Sequence, residues 1–173
     1  QQAGAAAGFT VEEACTVDFY GSRVSSTRVR EALQAADFVE AEHLLGRPFA
    51  IAGRVVHGQK LGRQLGTPTA NVQLKRHRVP LNGVFLVSME LEGVLQPGVA
   101  NIGVRPSVKA DGFAHLEVHL LDFAGDLYDR RVSVVFHHKL RDEQRFASLE
   151  ALKSAIAADV VAARAFWQDQ LNS

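Results

Sequence analysis

Fifteen consecutive residues, His57-Gly-Gln-Lys-Leu-Gly-Arg-Gln-Leu-Gly-Thr-Pro-Thr-Ala-Asn71, hold the densest set of chemically useful groups in this chain. Gly58, Gly62 and Gly66 recur every four residues, with Lys60 and Arg63 between them. Glycine lets backbone N–H groups come close to a ligand and the cations supply charge, a combination suited to phosphate oxygens. The same composition also suits a flexible hairpin loop. The stretch is neither GxGxxG nor a Walker A loop: counted from Gly53, Gln59 stands at the lysine position and Lys60 at the Ser/Thr position. Thr69 and Asn71, two apart, face the same side if the segment is extended. A hydroxyl and an amide oxygen are hard neutral ligands, suited to a magnesium ion already carrying the oxygens of a nucleotide. The alternative is a turn in which both cap backbone groups. A further candidate is Glu117. A strand over 113–123 puts Glu117, His119 and Leu121 on one face, where apolar neighbours would partly desolvate the carboxylate and raise its basicity toward a hydroxyl. His119 reads as a satisfied structural histidine, Asp122 equally well as a turn residue, and Met89 and Trp167 as packing.

The elements that must hold these groups are mostly short and β-rich. Phe49–Ala52 and Arg54–Val56 read as strand, and further runs cover 84–91, 94–102, 113–123 and 131–138. Turn signals separate them: Leu81-Asn-Gly83, which predicts a hairpin, then Glu92-Gly93, Pro97-Gly98, Asp111-Gly112 and Ala124-Gly125. Turns every 10–14 residues without an intervening helix indicate an antiparallel barrel or sandwich, not a βαβ fold. Before this region, Ser25-Ser-Thr27 precedes a helix-like stretch from Arg28 to Ala36. Asp37 with Glu40 forms a capping box for a second helix ending at Gly46, and Arg47-Pro48 marks a boundary. After it, Leu149, Leu152, Ile156, Val160, Ala163 and Trp167 trace one face of a long helix capped by Ser148.

Composition narrows the class. The 173 residues are 47% hydrophobic and 22% charged, the balance of an ordinary globular chain with a real core. No apolar run approaches the ~20 residues of a membrane span. Cys15 is the single cysteine, which excludes an internal disulfide framework or CxxC site and fits a reducing, cytoplasmic setting. The zero net charge is unevenly spread: residues 1–42 carry −4, residues 43–89 carry +7 with no acid, and residues 90–173 carry −3. The basic block points to an anionic ligand, either nucleotide or nucleic acid, or simply to a solvated face. Phe49 and Phe85 are its only aromatics, whereas single-strand nucleic-acid binders interleave stacking rings with charges.

Gly62-Arg-Gln-Leu-Gly-Thr-Pro-Thr-Ala-Asn71 resembles the signature of riboflavin kinases. Asn101-Ile-Gly103, Pro106, Leu116–Phe123, Asp126-Leu-Tyr128, Leu140-Arg-x-Glu143 and Phe146 follow in suitable order, so the likeness covers about residues 49–168. Arg23-Val-Ser-Ser-Thr-Arg-Val-Arg30 resembles the nucleotide-binding motif near the end of the FMN adenylyltransferase module that bacterial FAD synthetases join to the kinase. The resemblance implies a mainly β fold: a small closed antiparallel barrel of Greek-key type with a long C-terminal helix, preceded by a short helical segment. It implies a division into 1–46, the tail of the adenylyltransferase module, and 47–173, the kinase. The implied reaction is ATP-dependent, Mg²⁺-assisted phosphorylation of riboflavin to FMN, with no nucleic-acid or membrane partner. FAD synthesis is not expected, because no His-x-Gly-His signature is present. Carried over by motif, Gly58 and Arg63 contact nucleotide phosphates, as Lys60, Gly62 and Gly66 in the same loop would. Thr69 and Asn71 hold Mg²⁺ and phosphate oxygens, Glu117 is the general base, and Leu120, Asp122 and Tyr128 line the nucleotide site. Arg141, Gln144 and Phe146 face the flavin. Two positions depart from the pattern: Asp129 stands where the family commonly has glycine, and Gln144 where some relatives have lysine. Other readings are a flavin-binding barrel without catalysis and a basic barrel that binds nucleic acid.

Overall fold

The computed structural model describes residues 4, 7, 8, 10–12, 15–19, 21–58, 66–74, 79–104 and 114–171. Lys60, Gly62, Arg63, Pro106 and the Asp111-Gly112 turn lie outside them. A two-stranded ribbon, β1 (Asp18–Phe19) and β2 (Ser22–Arg23), leads into helices α1 (Ser26–Gln34) and α2 (Phe38–Leu45). Then come β3 (Ala50–Val56), β4 (Ala70–Gln73), β5 (Gly83–Leu91), β6 (Val94–Val104), β7 (Ala114–Leu120), β8 (Arg131–Arg141) and α3 (Leu149–Leu171).

Strands β3 to β8 close into a six-stranded antiparallel barrel in the order β3-β4-β7-β6-β5-β8. Consecutive β5, β6 and β7 pair side by side and β8 returns to lie beside β5, which is a Greek-key path. Alternation along each strand divides the residues between two faces. On β5, Phe85, Val87 and Met89 fill the barrel interior, while Val84 and Leu86 pack outward against Val160, Ala163 and Trp167 of α3. Both faces of this strand are covered, so its sequence reads as a continuous apolar run. Ser148 caps α3 as the sequence predicts, its Oγ accepting from the Ala151 N–H at 3.1 Å.

The helix pair packs on the barrel rather than standing apart. Phe38 lies edge-on to Phe85 at 5.9 Å and stacks on Phe136 at 6.1 Å, and Phe136 in turn meets Phe49 just before β3. Ala32, Leu33 and Ala41 join the same core. Ser25 caps α1 and Asp37 caps α2, which ends on left-handed Gly46. The capping box is only half made, however. The Asp37 N–H bonds to the Ala32 carbonyl, and the Glu40 carboxylate turns instead to Arg28 at 2.6 Å.

Two turn signals are overturned. Leu81-Asn-Gly83 closes no hairpin, because β4 pairs with β3 and β7 while β5 pairs with β6 and β8. Gly83 opens β5 at φ 127°, and a side chain there would strike the Arg141 carbonyl, so glycine is required by a close approach. Pro97-Gly98 lies inside β6, opposite Ser88 and Val87. The two-residue turn is Glu92-Gly93, with φ of 53° and 83°, joining Leu91 to Val94. Among the described residues, no helix is long and apolar enough to cross a membrane.

Candidate active site

A cavity of about 280 Å³ opens at the end of the barrel where β3 and β7 finish and β4 begins. Val55, Val118, Leu120 and Leu127 give it apolar walls, and Thr69 and Tyr128 stand among its lining residues. Its volume is near the lower end of the ~300–1,000 Å³ common for small-molecule sites. The segment 121–130 forms the outer wall and is bound to β3 through its backbone. Val55 N–H donates to the Arg130 carbonyl and Asp129 N–H to the Val55 carbonyl, each at 2.9 Å, and Arg54 Nη1 donates to the Asp129 carbonyl at 2.6 Å. Asp126 Oδ1 accepts from the Tyr128 N–H at 2.9 Å, which presents the ring against His57 with centroids 3.9 Å apart. Asp129 adopts φ 61°, the left-handed conformation in which glycine is most at ease. A short polar side chain tolerates this region better than most.

Beside the cavity, a row of polar residues crosses the outer face of three neighbouring strands. Asn71 of β4 is the direct cross-strand partner of Glu117 of β7, which is the partner of Asn101 of β6. Directly opposed residues point to the same side of a sheet, so the three side chains share one surface. Glu117 is half-buried. Its neighbours along the strand face are His115 and His119, not the apolar residues expected from the sequence, because Leu121 lies beyond the end of β7 and turns into the helix-facing core. Gly58 lies against Asn71, and any Cβ on it would collide with the Asn71 amide. Thr69, Leu120 and Tyr128 thus line the cavity, while Asn71, Glu117 and Gly58 meet on the outer face of the adjoining strands. Gly66 sits at φ 79° in the exposed approach to β4.

The other carried-over residues form a second group at the end of β8 and just after it. Arg141 is held by Asp159 of α3 through Nε at 2.9 Å and Nη2 at 2.7 Å, and its guanidinium lies 5.6 Å from the centre of the Phe146 ring. Gln144 is exposed. Asp159 is only 8% exposed, and its role could not be read from the helical spacing, which ranks it as a polar position on an amphipathic helix. Glu143 likewise has no role legible in its spacing. Its carboxylate rests against Gly103, where a Cβ would meet both oxygens within 2.7 Å. Gly103 is opposite His115, one step along the outer face from the Asn101–Glu117 pair.

Asp122 does not line the cavity. Its carboxylate forms a two-pronged pair with Arg164 of α3 at 2.6 and 2.8 Å, tying the turn after β7 to the helix. The Arg164 hydrogen bond holds this carboxyl below its ordinary range, with the charges of Arg164 and His119 acting in the same direction. A donor set for Mg²⁺ can be judged from its chemistry. Among the described residues no three His, Cys, Asp or Glu side chains cluster as a metal cage. Asn71 offers a neutral oxygen on the same face as the Glu117 carboxylate, and Thr69, two residues before it, a hydroxyl among the cavity-lining residues. Neutral oxygens of this kind fit a cation whose remaining ligands are phosphate oxygens and water.

The family described as "Flavokinase: Riboflavin kinase" matches residues 45–167. The bifunctional riboflavin kinase/FMN adenylyltransferase of Pseudomonas fluorescens is 76% identical over 165 residues, covering 95% of this chain and 53% of that protein. The protein of the same name in Escherichia coli K12 is 52% identical over 170 residues, covering 96% of this chain and 53% of its own length. The chain therefore spans about half the length of these relatives. Among solved structures, the riboflavin kinase of Trypanosoma brucei superposes with a TM-score of 0.50 at 28% identity, covering 70% of this chain and 80% of that one. A structure named as a macrolide-efflux protein from Streptococcus pneumoniae superposes with a TM-score of 0.74 at 35% identity, over 86% of this chain and 49% of that one.

Proposed function

The chain belongs to the riboflavin kinase family, and on that footing we propose that it transfers the γ-phosphoryl group of ATP to the 5′-hydroxyl of riboflavin, giving FMN and ADP. The observation that carries this reading is the pairing of Asn71 with Glu117 beside a cavity lined by Thr69. A carboxylate able to take a proton and neutral oxygens able to meet a phosphate-bound cation stand next to an apolar pocket. Phosphoryl transfer asks mainly for positioning and charge neutralisation; these groups would supply positioning, and the cation they would hold, with Lys60 and Arg63, would supply the charge.

In this reading Leu120 and Tyr128 border the nucleotide, while Gly58, Gly62 and Gly66 with Lys60 and Arg63 cradle its phosphates. Glu117 takes the proton of the 5′-hydroxyl as that oxygen bonds to the γ-phosphorus and the bond to the β,γ-bridging oxygen breaks. Thr69 and Asn71 would hold Mg²⁺. Bound there, the ion neutralises phosphate charge. Arg141, Gln144 and Phe146 face the flavin; the support for Arg141 is its fixed guanidinium over the Phe146 ring. Asp122 acts on the nucleotide side only through the turn it anchors to Arg164. We read residues 1–46 as the end of an adenylyltransferase half and 47–173 as the kinase, supported by a family match that starts at residue 45. The unpaired Cys15 and an ATP-dependent reaction support a cytoplasmic setting.

The test is chromatographic detection of FMN from riboflavin and ATP, with and without Mg²⁺. FMN formed only with the metal is the expected result. Folded protein that binds flavin without turnover would replace this reading with that of a binding barrel.

A further inference from the structure

His119 has a partner that the sheet alone does not explain. The β4–β7 pairing ends at Ala70 opposite Val118, one residue short of Thr69. Beyond that point a side chain takes over: the His119 Nδ1 lies 2.9 Å from the carbonyl oxygen of Pro68. A carbonyl only accepts, so Nδ1 carries the proton. Pro68 has no N–H and a fixed φ, which leaves its carbonyl as the main-chain group by which this residue can be tied. The Pro68 carbonyl and the Thr69 N–H belong to one planar unit, so holding the oxygen also sets the orientation from which the Thr69 side chain departs. The anchor is firm, because His119 is paired with Val99 of β6 within a strand bonded on both sides.

We infer that His119 is a positioning residue: through Nδ1–H it fixes the Pro68–Thr69 peptide, and with it the Thr69 hydroxyl at the cavity wall. The kinetic consequence rests on the phosphoryl-transfer reading; the geometric claim does not. A ligand oxygen displaced by about an ångström is enough to weaken a phosphoryl-transfer site severely, so loss of this bond acts on the nucleotide side and not on the flavin side.

The experiment compares wild type with His119→Asn, which keeps a donor at the Nδ1 position, and His119→Leu, which has a similar branched shape without one. Amide hydrogen exchange over residues 66–74 is measured without ligands, with β5 and β6 peptides reporting that the barrel is intact. Exchange in the 66–74 segment is expected to be about tenfold faster in the Leu variant and within about twofold of wild type in the Asn variant. In FMN formation, the Leu variant is expected to raise KM for MgATP about tenfold with riboflavin KM within about twofold, and Asn to restore most of the loss. Unchanged exchange in the Leu variant, or equal acceleration in both, overturns the inference. Faster exchange with unchanged KM values overturns its link to nucleotide binding. Absence of turnover in wild type defeats the phosphoryl-transfer reading instead, and the exchange comparison still decides the role of His119.

Discussion

Glu117 shows how far individual residues could be read. Its identity, and those of Thr69 and Asn71, stand out from residue type and spacing, but the surroundings of Glu117 do not. A strand pattern says which residues share a face, whereas its cross-strand neighbours come from β4 and β6, 46 residues before it and 16 before it at Asn71 and Asn101. As the base of the proposed reaction, Glu117 is replaceable only at a high cost in rate. Glu117→Gln keeps the shape and is expected to lower kcat about 10²-fold or more with little change in riboflavin KM, as steady-state kinetics can check. His137, a residue the sequence does not single out, carries a separate prediction. It is hydrogen-bonded to buried Ser88 at 2.8 Å and lies under Trp167, with ring centroids 4.9 Å apart. Partial desolvation of this otherwise exposed ring lowers its pKa below the ordinary 6.5, and the Glu42 carboxylate pulls in the opposite direction. Below about pH 6.5 the unfolded chain takes up a proton that the folded one resists, so stability falls as pH drops through that value. Urea midpoints at about pH 7.5 and 5.5 should therefore differ more for wild type than for His137→Gln.

At the scale of elements, five of the six barrel strands and the three described helices were legible because each carries its own signal: alternation, a cap, a spacing of three and four. The four-residue β4, directly after a glycine-rich stretch, was not legible as a strand, and inferences about connection failed as well. Asn82-Gly83 has the composition of a hairpin turn, yet its conformation answers to the Arg141 carbonyl of a strand more than fifty residues later. Pro97 sits inside a strand, where its own carbonyl accepts from the Leu121 N–H at 2.8 Å. No local pattern reports either partner. The 121–130 segment makes a testable case of the same kind. Asp129 occupies a left-handed position, so Asp129→Gly should keep stability within about 1 kcal/mol, whereas Asp129→Val should lose about 1–2 kcal/mol. Thermal denaturation of the pair measures the difference, and loosening of the Asp129–Val55 bond in the Val variant should also raise KM for ATP.

For the molecule as a whole, the helix pair and the barrel share one core through Phe38. This side chain is 7% exposed, and Phe38→Ala is expected to cost about 3–5 kcal/mol in urea denaturation, as for other large core truncations. A smaller loss would mean that α2 rests on the barrel without stabilising it. The closure of the barrel has a consequence in time as well as in space. The β3–β8 seam joins Ala50 to Val135, 85 residues later, and the β4–β7 seam joins Ala70 to Val118. Contacts so distant in sequence make folding slow, on the order of milliseconds to seconds. Stopped-flow refolding followed by Trp167 fluorescence should show a single phase in that range. Until both seams form, β3 and β4 are a lone hairpin, which is marginal in water. The strand that carries Asn71 therefore gains a rigid frame only when nearly the whole barrel has been synthesised, and no early folding intermediate can present a working site.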